Sequence, residues 1–217
     1  DFSLLYSVNI ASNELDQNAI DNSWLANTNG LSILNLKANL MTSLPTSLTS
    51  MRYLATLDVS DNKITSLGIN DNGLTGLKNL YQFKADNNNI NKIASNNFDG
   101  LVSLGLLSME RNALQYPRAR WFRNLCNLNS LSWEQNPWVC DCHATGFKVL
   151  LNETQSNNNY CYLPLALANT VQCYQPDNLN GKFIDNVPLS NITSSGDCSS
   201  YTAPTINPTN QPGPQPV

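Results

Sequence analysis

One pattern occurs six times in the first 138 residues, and it limits the possible folds more than anything else in the chain. Its frame is an apolar residue, two variable ones, a second apolar residue, one variable, a third apolar residue, two variable, an asparagine, one variable and a last apolar residue. The copies run Leu5, Val8, Ile10, Asn13, Leu15, then Leu31, Leu34, Leu36, Asn39, Met41. Next come Leu54, Leu57, Val59, Asn62, Ile64 and Leu80, Phe83, Ala85, Asn88, Ile90. Leu104, Leu107, Met109, Asn112, Leu114 and Leu128, Leu131, Trp133, Asn136, Trp138 complete the set. Consecutive asparagines lie 26, 23, 26, 24 and 24 residues apart. A unit this short cannot bury its own apolar face, so the copies must stack and share one core.

Within each copy the second and third apolar positions alternate with polar ones, which is strand periodicity with one face buried. The asparagine falls where the chain must turn off the strand. Its short amide can satisfy backbone groups that a tight buried turn would orphan. Between the strands runs a second, three-residue spacing: Phe98, Leu101, Leu104 and Phe122, Leu125, Leu128, with a weaker Leu74, Leu77, Leu80. That spacing predicts short helical or 3₁₀ turns on the returning side. The frame residues are core, so any function rests on the residues between them. Those residues tile a mostly neutral, polar face that turns acidic along Asp86, Glu110 and Glu134, with Ile33, Tyr81 and Leu106 as its apolar members.

Six in-register copies at this period resemble the leucine-rich repeat family, over about residues 4–138. The resemblance implies an α/β solenoid: a horseshoe with a parallel concave sheet. Asn136-Pro137-Trp138-x-Cys140-x-Cys142, followed by Cys173, Pro176, Gly181 and Cys198, is similar to the cysteine-rich C-terminal flanking cap (LRRCT type) of extracellular animal leucine-rich repeat proteins. Toll-like receptors, Slit proteins and neuronal adhesion molecules carry such caps. By that resemblance the expected disulfides are Cys140–Cys173 and Cys142–Cys198. Cys126 and Cys161 depart from the four-cysteine pattern and are expected to pair with each other. Six cysteines allow fifteen connectivities, which sequence alone leaves open. The expected organisation is repeats over 1–138 without an N-terminal cap, a disulfide-bonded cap over 139–200, and a Pro/Thr-rich tail or linker over 201–217. The absent N-terminal cap is expected to reflect a shortened solenoid or a covering partner chain, because bare strand edges invite pairing.

Charge and composition exclude several classes of function. The net charge is -4, and no run of Lys or Arg occurs, which argues against nucleic acid. No apolar stretch approaches the roughly 20 residues needed to span a bilayer. Six cysteines fit an oxidising, extracellular compartment. His143 is the only histidine, and Cys140-x-Cys142-His143 lacks zinc-ligand spacing. The carboxylates Asp58, Asp61, Asp86, Glu110 and Glu134 read as solvated surface rather than catalytic or calcium-binding groups. No enzyme activity, cofactor or metal is therefore expected. Asn152-Glu153-Thr154 and Asn191-Ile192-Thr193 are N-glycosylation sequons.

The expected function is extracellular protein–protein recognition, of receptor-ectodomain or adhesion type, through the concave face. Its centre is expected at Tyr81, Lys84, Asp86, Leu106, Glu110 and Arg111. Two alternatives stand beside it. One is a structural subunit of a matrix or surface filament, meeting neighbouring chains at the N-terminal edge and the Pro-rich tail. The other is glycan or pattern recognition with Tyr6 and Tyr81 as stacking platforms.

Overall fold

The computed structural model describes residues 4–21, 28, 30–68, 73–74, 76–122, 124–153 and 170–193. Among them, eight strands occur in chain order: β1 (Ser7–Asn9), β2 (Ile33–Asn35), β3 (Thr56–Asp58), β4 (Ser66–Leu67), β5 (Gln82–Lys84), β6 (Lys92–Ile93), β7 (Leu106–Ser108) and β8 (Ser130–Ser132). Six of them form one parallel sheet in the order β1-β2-β3-β5-β7-β8, and β4 and β6 form a smaller one on the return path. The molecule is a leucine-rich repeat solenoid.

The register explains why each strand needs only three residues. Val8, Leu34, Leu57, Phe83, Leu107 and Leu131 are register partners from one strand to the next, and all are buried. Their neighbours on either side point outward, so each rung contributes one central core residue and two surface residues. Fully burying a side chain of this kind stabilises by roughly 1.5–3 kcal/mol, and the apolar frame residues continue that layer without interruption.

The asparagines lock rung to rung. The Asn88 amide donates to Val59 O of the preceding rung at 3.1 Å and to Asp86 O of its own turn at 3.2 Å. Its Oδ1 accepts the Ile64 N–H at 2.9 Å. Asn39, Asn62, Asn112 and Asn136 repeat the device, accepting from Leu15, Met41, Ile90 and Leu114 in turn. Asn13, at the first rung, is exposed and bonds only to its own turn, at Ile10 O and Ala11 O. One residue earlier, every rung places a non-glycine residue in the left-handed region: Ser12, Ala38, Asp61, Asn87, Arg111 and Gln135, with φ between 53 and 59°. The N–H groups of Ser12, Ala38, Asp61, Asn87 and Arg111 reach carbonyls of the next rung at 2.9–3.1 Å.

On the return path the expected short turns form, including 3₁₀ segments at Thr46–Ser50 and Ala119–Phe122. A brief helix, α1 (Gln17–Asp21), occupies the same side in the first repeat. The β4–β6 pair is an addition the three-residue spacing does not encode: Leu67 and Ile93 are its buried register partners.

At the C-terminal end Trp133, Trp138, Phe122 and Phe147 close the core. Trp133 lies 4.7 Å from Trp138, 5.3 Å from Phe147 and 5.2 Å from Phe122, centroid to centroid, in tilted or edge-on contacts. Aromatic pairs favour such geometries. The Trp133 Nε1–H donates to Thr170 Oγ1 at 2.9 Å. Helix α2 (Thr145–Glu153) supplies Phe147 to this cluster, and α3 (Leu189–Thr193) packs against α2 and the Cys142–Ala144 turn. Cys140 and Cys173 are joined by a disulfide, and a parallel bridge between Val139 and Gln175 continues the solenoid's hydrogen bonding into the cap. Cys126 and Cys142 are also disulfide-bonded, and their expected partners Cys161 and Cys198 lie outside the described residues, as does the 201–217 tail. Lys148 of α2 is buried, with its Nζ donating to Asp185 O. Burial pushes its amine below the ordinary lysine value, and the Asp185 charge opposes that shift.

Candidate interaction surface

The concave face follows from the alternation just described, because whatever points away from the core in each three-residue strand faces the hollow. Of the six residues expected at its centre, Tyr81 and Arg111 are exposed, while Lys84, Asp86, Leu106 and Glu110 are half-buried among their neighbours. All six fall on rungs four and five, in the residues next to and within β5 and β7.

Tyr81 is 47% exposed and precedes β5. Its carbonyl accepts two N–H groups from the next rung, Gly105 and Leu106, each at 2.9 Å. The ring leans over that rung. A Cβ built on Gly105 would come within 2.3 Å of Tyr81 Cε2 and 2.9 Å of Cδ2 and Cζ. Gly105 is thus the seat of the ring, and any side chain there would displace it. Its φ is not among the positive ones, so the need for glycine is steric rather than conformational. Leu106, next in the chain, sits in register with Gln82 and Ser130.

At the far end of the strands the surface becomes charged and partly fixed. Asp86 Oδ1 accepts from Ser108 Oγ at 2.6 Å and from the Glu110 N–H at 2.8 Å. Arg111 Nε donates to Gln135 Oε1 at 2.6 Å, so it is braced by the next rung. Asp61 pairs with Lys37 at 3.2 Å and accepts from Asn87 Nδ2 at 2.6 Å. The Asn87 hydrogen bond, helped by Lys37, holds the Asp61 carboxyl below its ordinary value. Lys84 is the register partner of Asp58.

The remaining candidates fall elsewhere. Tyr6 is 65% exposed on the first rung, and Ile33 is half-buried on the second. Asn152 lies in the last turn of α2, and Thr154 of its sequon is outside the described residues. Asn191 is exposed on α3. Asp141, Cys142 and His143 cluster closely, but Cys142 is consumed in a disulfide, and Asp141 instead caps a 3₁₀ turn by accepting the His143 N–H at 2.9 Å.

Two features escaped sequence reasoning. One is the glycine seat of Tyr81, although the sequence of that column, Tyr81 followed one rung on by Gly105, carried the signal. The other is a second asparagine brace at the start of the rungs: Asn79 Nδ2 donates to Arg52 O at 2.8 Å and Asn127 Nδ2 to Val102 O at 2.7 Å. Both precede the first apolar residue of a repeat, a place the main pattern leaves variable.

No family model matches the chain. It is 25% identical over 144 residues to Toll-like receptor 6 of Bos taurus and 25% identical over 149 residues to Toll-like receptor 6 of Mus musculus. These alignments take in 66% and 67% of the chain but 17% of each receptor's own length. Among solved structures, it superimposes with a TM-score of 0.68 and 21% identity on a chain of an octameric complex of Latrophilin 3, Unc5D and FLRT2 (LRR), covering 84% of this chain and 53% of that one. An internalin of Listeria monocytogenes superimposes with a TM-score of 0.54 and 27% identity, over 68% of this chain and 39% of that one.

Proposed function

We propose that the chain is an extracellular recognition module that binds a protein partner through its concave face, centred on Tyr81 and Leu106 and bordered by Lys84, Asp86, Glu110 and Arg111. The observation that carries this reading is the seating of Tyr81 over Gly105. An exposed aromatic ring that already rests against the next rung offers a broad apolar contact face, which is the property of an interface anchor. The ladder beneath supports it, since the sheet presents its side chains on a frame already set.

Likeness to receptor and adhesion-type repeat proteins supports the reading, and the disulfides fit an oxidising, extracellular setting. Among the described residues no helix is long and apolar enough to cross a membrane. In the same reading Asn152 and Asn191 carry glycans on the cap, Cys142 pairs with Cys198, and Cys126 with Cys161.

The test is cross-linking mass spectrometry on the protein in its native surface or secretion. Links from Lys37 or Lys84 to an unrelated protein, lost in Tyr81→Ala and Leu106→Ala variants, are the expected result. Links confined to Lys63, Lys78 or Lys182 of other copies, unchanged in those variants, would replace recognition with a structural assembly.

A further inference from the structure

We infer that the return path of the fifth repeat, at Arg118 and Arg120, binds a sulfated polysaccharide, apart from the concave face that takes a protein partner. The sequence sets this stretch off from the rest. Between Glu110 and Glu134 the chain carries Arg111, Arg118, Arg120 and Arg123 and no Asp or Glu, in a protein whose net charge is -4. Arg111 belongs to the concave side, where Gln135 braces it. Arg118 and Arg120 are exposed at the 3₁₀ segment Ala119–Phe122, and Arg123 lies outside the described residues. The turn is anchored from within: Pro117, Trp121 and Phe122 are buried, and Phe122 packs edge-on against Trp133 of the end cluster. The two arginines therefore stand on backbone that the core holds in place.

Neither guanidinium is committed elsewhere. Among the described residues no hydrogen bond or ion pair holds the side chain of Arg118 or Arg120. The preceding rung, aligned on Phe98 and Phe122, has the neutral Ala94 and Asn96 in their places, and its Asp99 matches Arg123 instead. On the cap side Asp141 Oδ1 is already engaged by the His143 N–H and ring Nδ1, at 2.9 and 3.0 Å. A second observation comes from the same turn. The buried Trp121 Nε1–H, next in the chain after Arg120, meets no acceptor among the described residues. A buried donor left unpaired costs about 1–3 kcal/mol, so the turn favours an arriving oxygen acceptor as well as negative charge. Arginine's planar fork of N–H donors fits the oxygens of an oxyanion, and sulfate esters supply both charge and acceptors. The carrier follows from the charge of the whole chain. An acidic protein face or an anionic bilayer would confront the rest of a net negative molecule, where like charge repels it. From 116 to 122 no exposed apolar side chain stands beside the arginines to enter a bilayer. A single polysaccharide strand touches the two arginines and little else.

The test titrates the whole chain with a short heparin-derived oligosaccharide as the sulfated probe, read by the indole and arginine N–H resonances in nitrogen-edited NMR at low salt. The same oligosaccharide stripped of its sulfates, polyglutamate, and phosphatidylserine vesicles are the comparison probes. The sulfated probe is expected to shift Trp121 Nε1–H, and its affinity to fall about tenfold in an Arg118→Ser, Arg120→Ser double variant and again at high salt. Both substitutions are at exposed positions, and an unchanged amide spectrum elsewhere shows that the fold is kept. A Lys63→Ser, Lys78→Ser variant, which removes the same charge from other exposed positions, is expected to bind as the parent does. Equal weakening in the lysine variant, undiminished binding in the arginine variant, or equal binding of the desulfated probe overturns the inference. Tighter binding of polyglutamate, or of the vesicles, also overturns it, in favour of an acidic protein or a membrane.

Discussion

Between Leu5 and Asn136 the strand turns are each closed by an asparagine in the same place, whereas among the described residues beyond Trp138 no contact recurs at a fixed spacing. The rungs and the cap both bury apolar cores, yet they are expected to fail differently when cut. In the rungs the polar work is divided among equivalent residues, each after Asn13 tied to the rung before it and to its own turn. In the cap one aromatic cluster, the Cys140–Cys173 bridge and a further disulfide at Cys142 hold the end of the solenoid. A repeat array is stabilised by nearest-neighbour terms, so local damage there stays local. The cap's contacts join residues such as Trp133 and Thr170, far apart in the chain, so damage there opens everything above them.

The sharpest way to break this contrast is Trp133→Ala. It removes a fully buried ring that touches Phe122, Trp138 and Phe147, and with it the Nε1–H bond to Thr170 Oγ1. A loss of roughly 3–5 kcal/mol is expected, read by denaturant unfolding. Replacing Cys140 and Cys173 together by serine should cost about 2–4 kcal/mol, mostly by freeing the unfolded chain, with amide exchange rising in the cap before the rungs.

Asn88→Ala tests the other side. It orphans the buried Ile64 N–H and takes one of two donors from the Val59 carbonyl, which keeps Asn62 Nδ2 at 3.0 Å, so a loss on the order of 1–3 kcal/mol is expected. Asn13→Ala, at an exposed turn with only local bonds, should cost less than about 1 kcal/mol. Equal losses at the two positions would mean that the inter-rung bonds carry no weight.

The smallest expected effect is one of pH. Asp61 has its folded pKa lowered by Asn87 and Lys37, so its contribution is complete above the ordinary carboxylate value. It fades as the pH falls from there through Asp61's own lower value. Asp61→Asn should flatten the acid limb of the thermal midpoint slightly, since the group is solvent-screened. A steeper acid limb in that variant would contradict the sign.

The same contrast explains what could be read in advance. The frame residues announce themselves because each recurs at the spacing of a rung, and the parallel sheet, the buried centre of each strand and the turn asparagines all follow from that recurrence. The β4–β6 pairing did not announce itself, because only two rungs have it and two residues make no period. Nor did the Trp133 cluster, since the ring replaces an aliphatic residue at a frame position and its partners Phe147 and Thr170 lie in segments that repeat nothing. At the candidate surface, Tyr81 stood out as an apolar residue at a variable position. Its seat on Gly105 did not, because a glycine reads as the absence of information until the ring from the neighbouring rung is placed over it.

The left-handed residues at the ends of the rungs carry a further consequence. Ser12, Ala38, Asp61, Asn87, Arg111 and Gln135 share one backbone shape while differing in size, charge and polarity. In all but Gln135 the turn is held by bonds between main chains, so the fold asks of the letter written there mainly that it tolerate a left-handed backbone. Such a row works like a line of interchangeable type: a lineage can respell it, one rung at a time, and acquire a new binding preference without redrafting the scaffold that prints it.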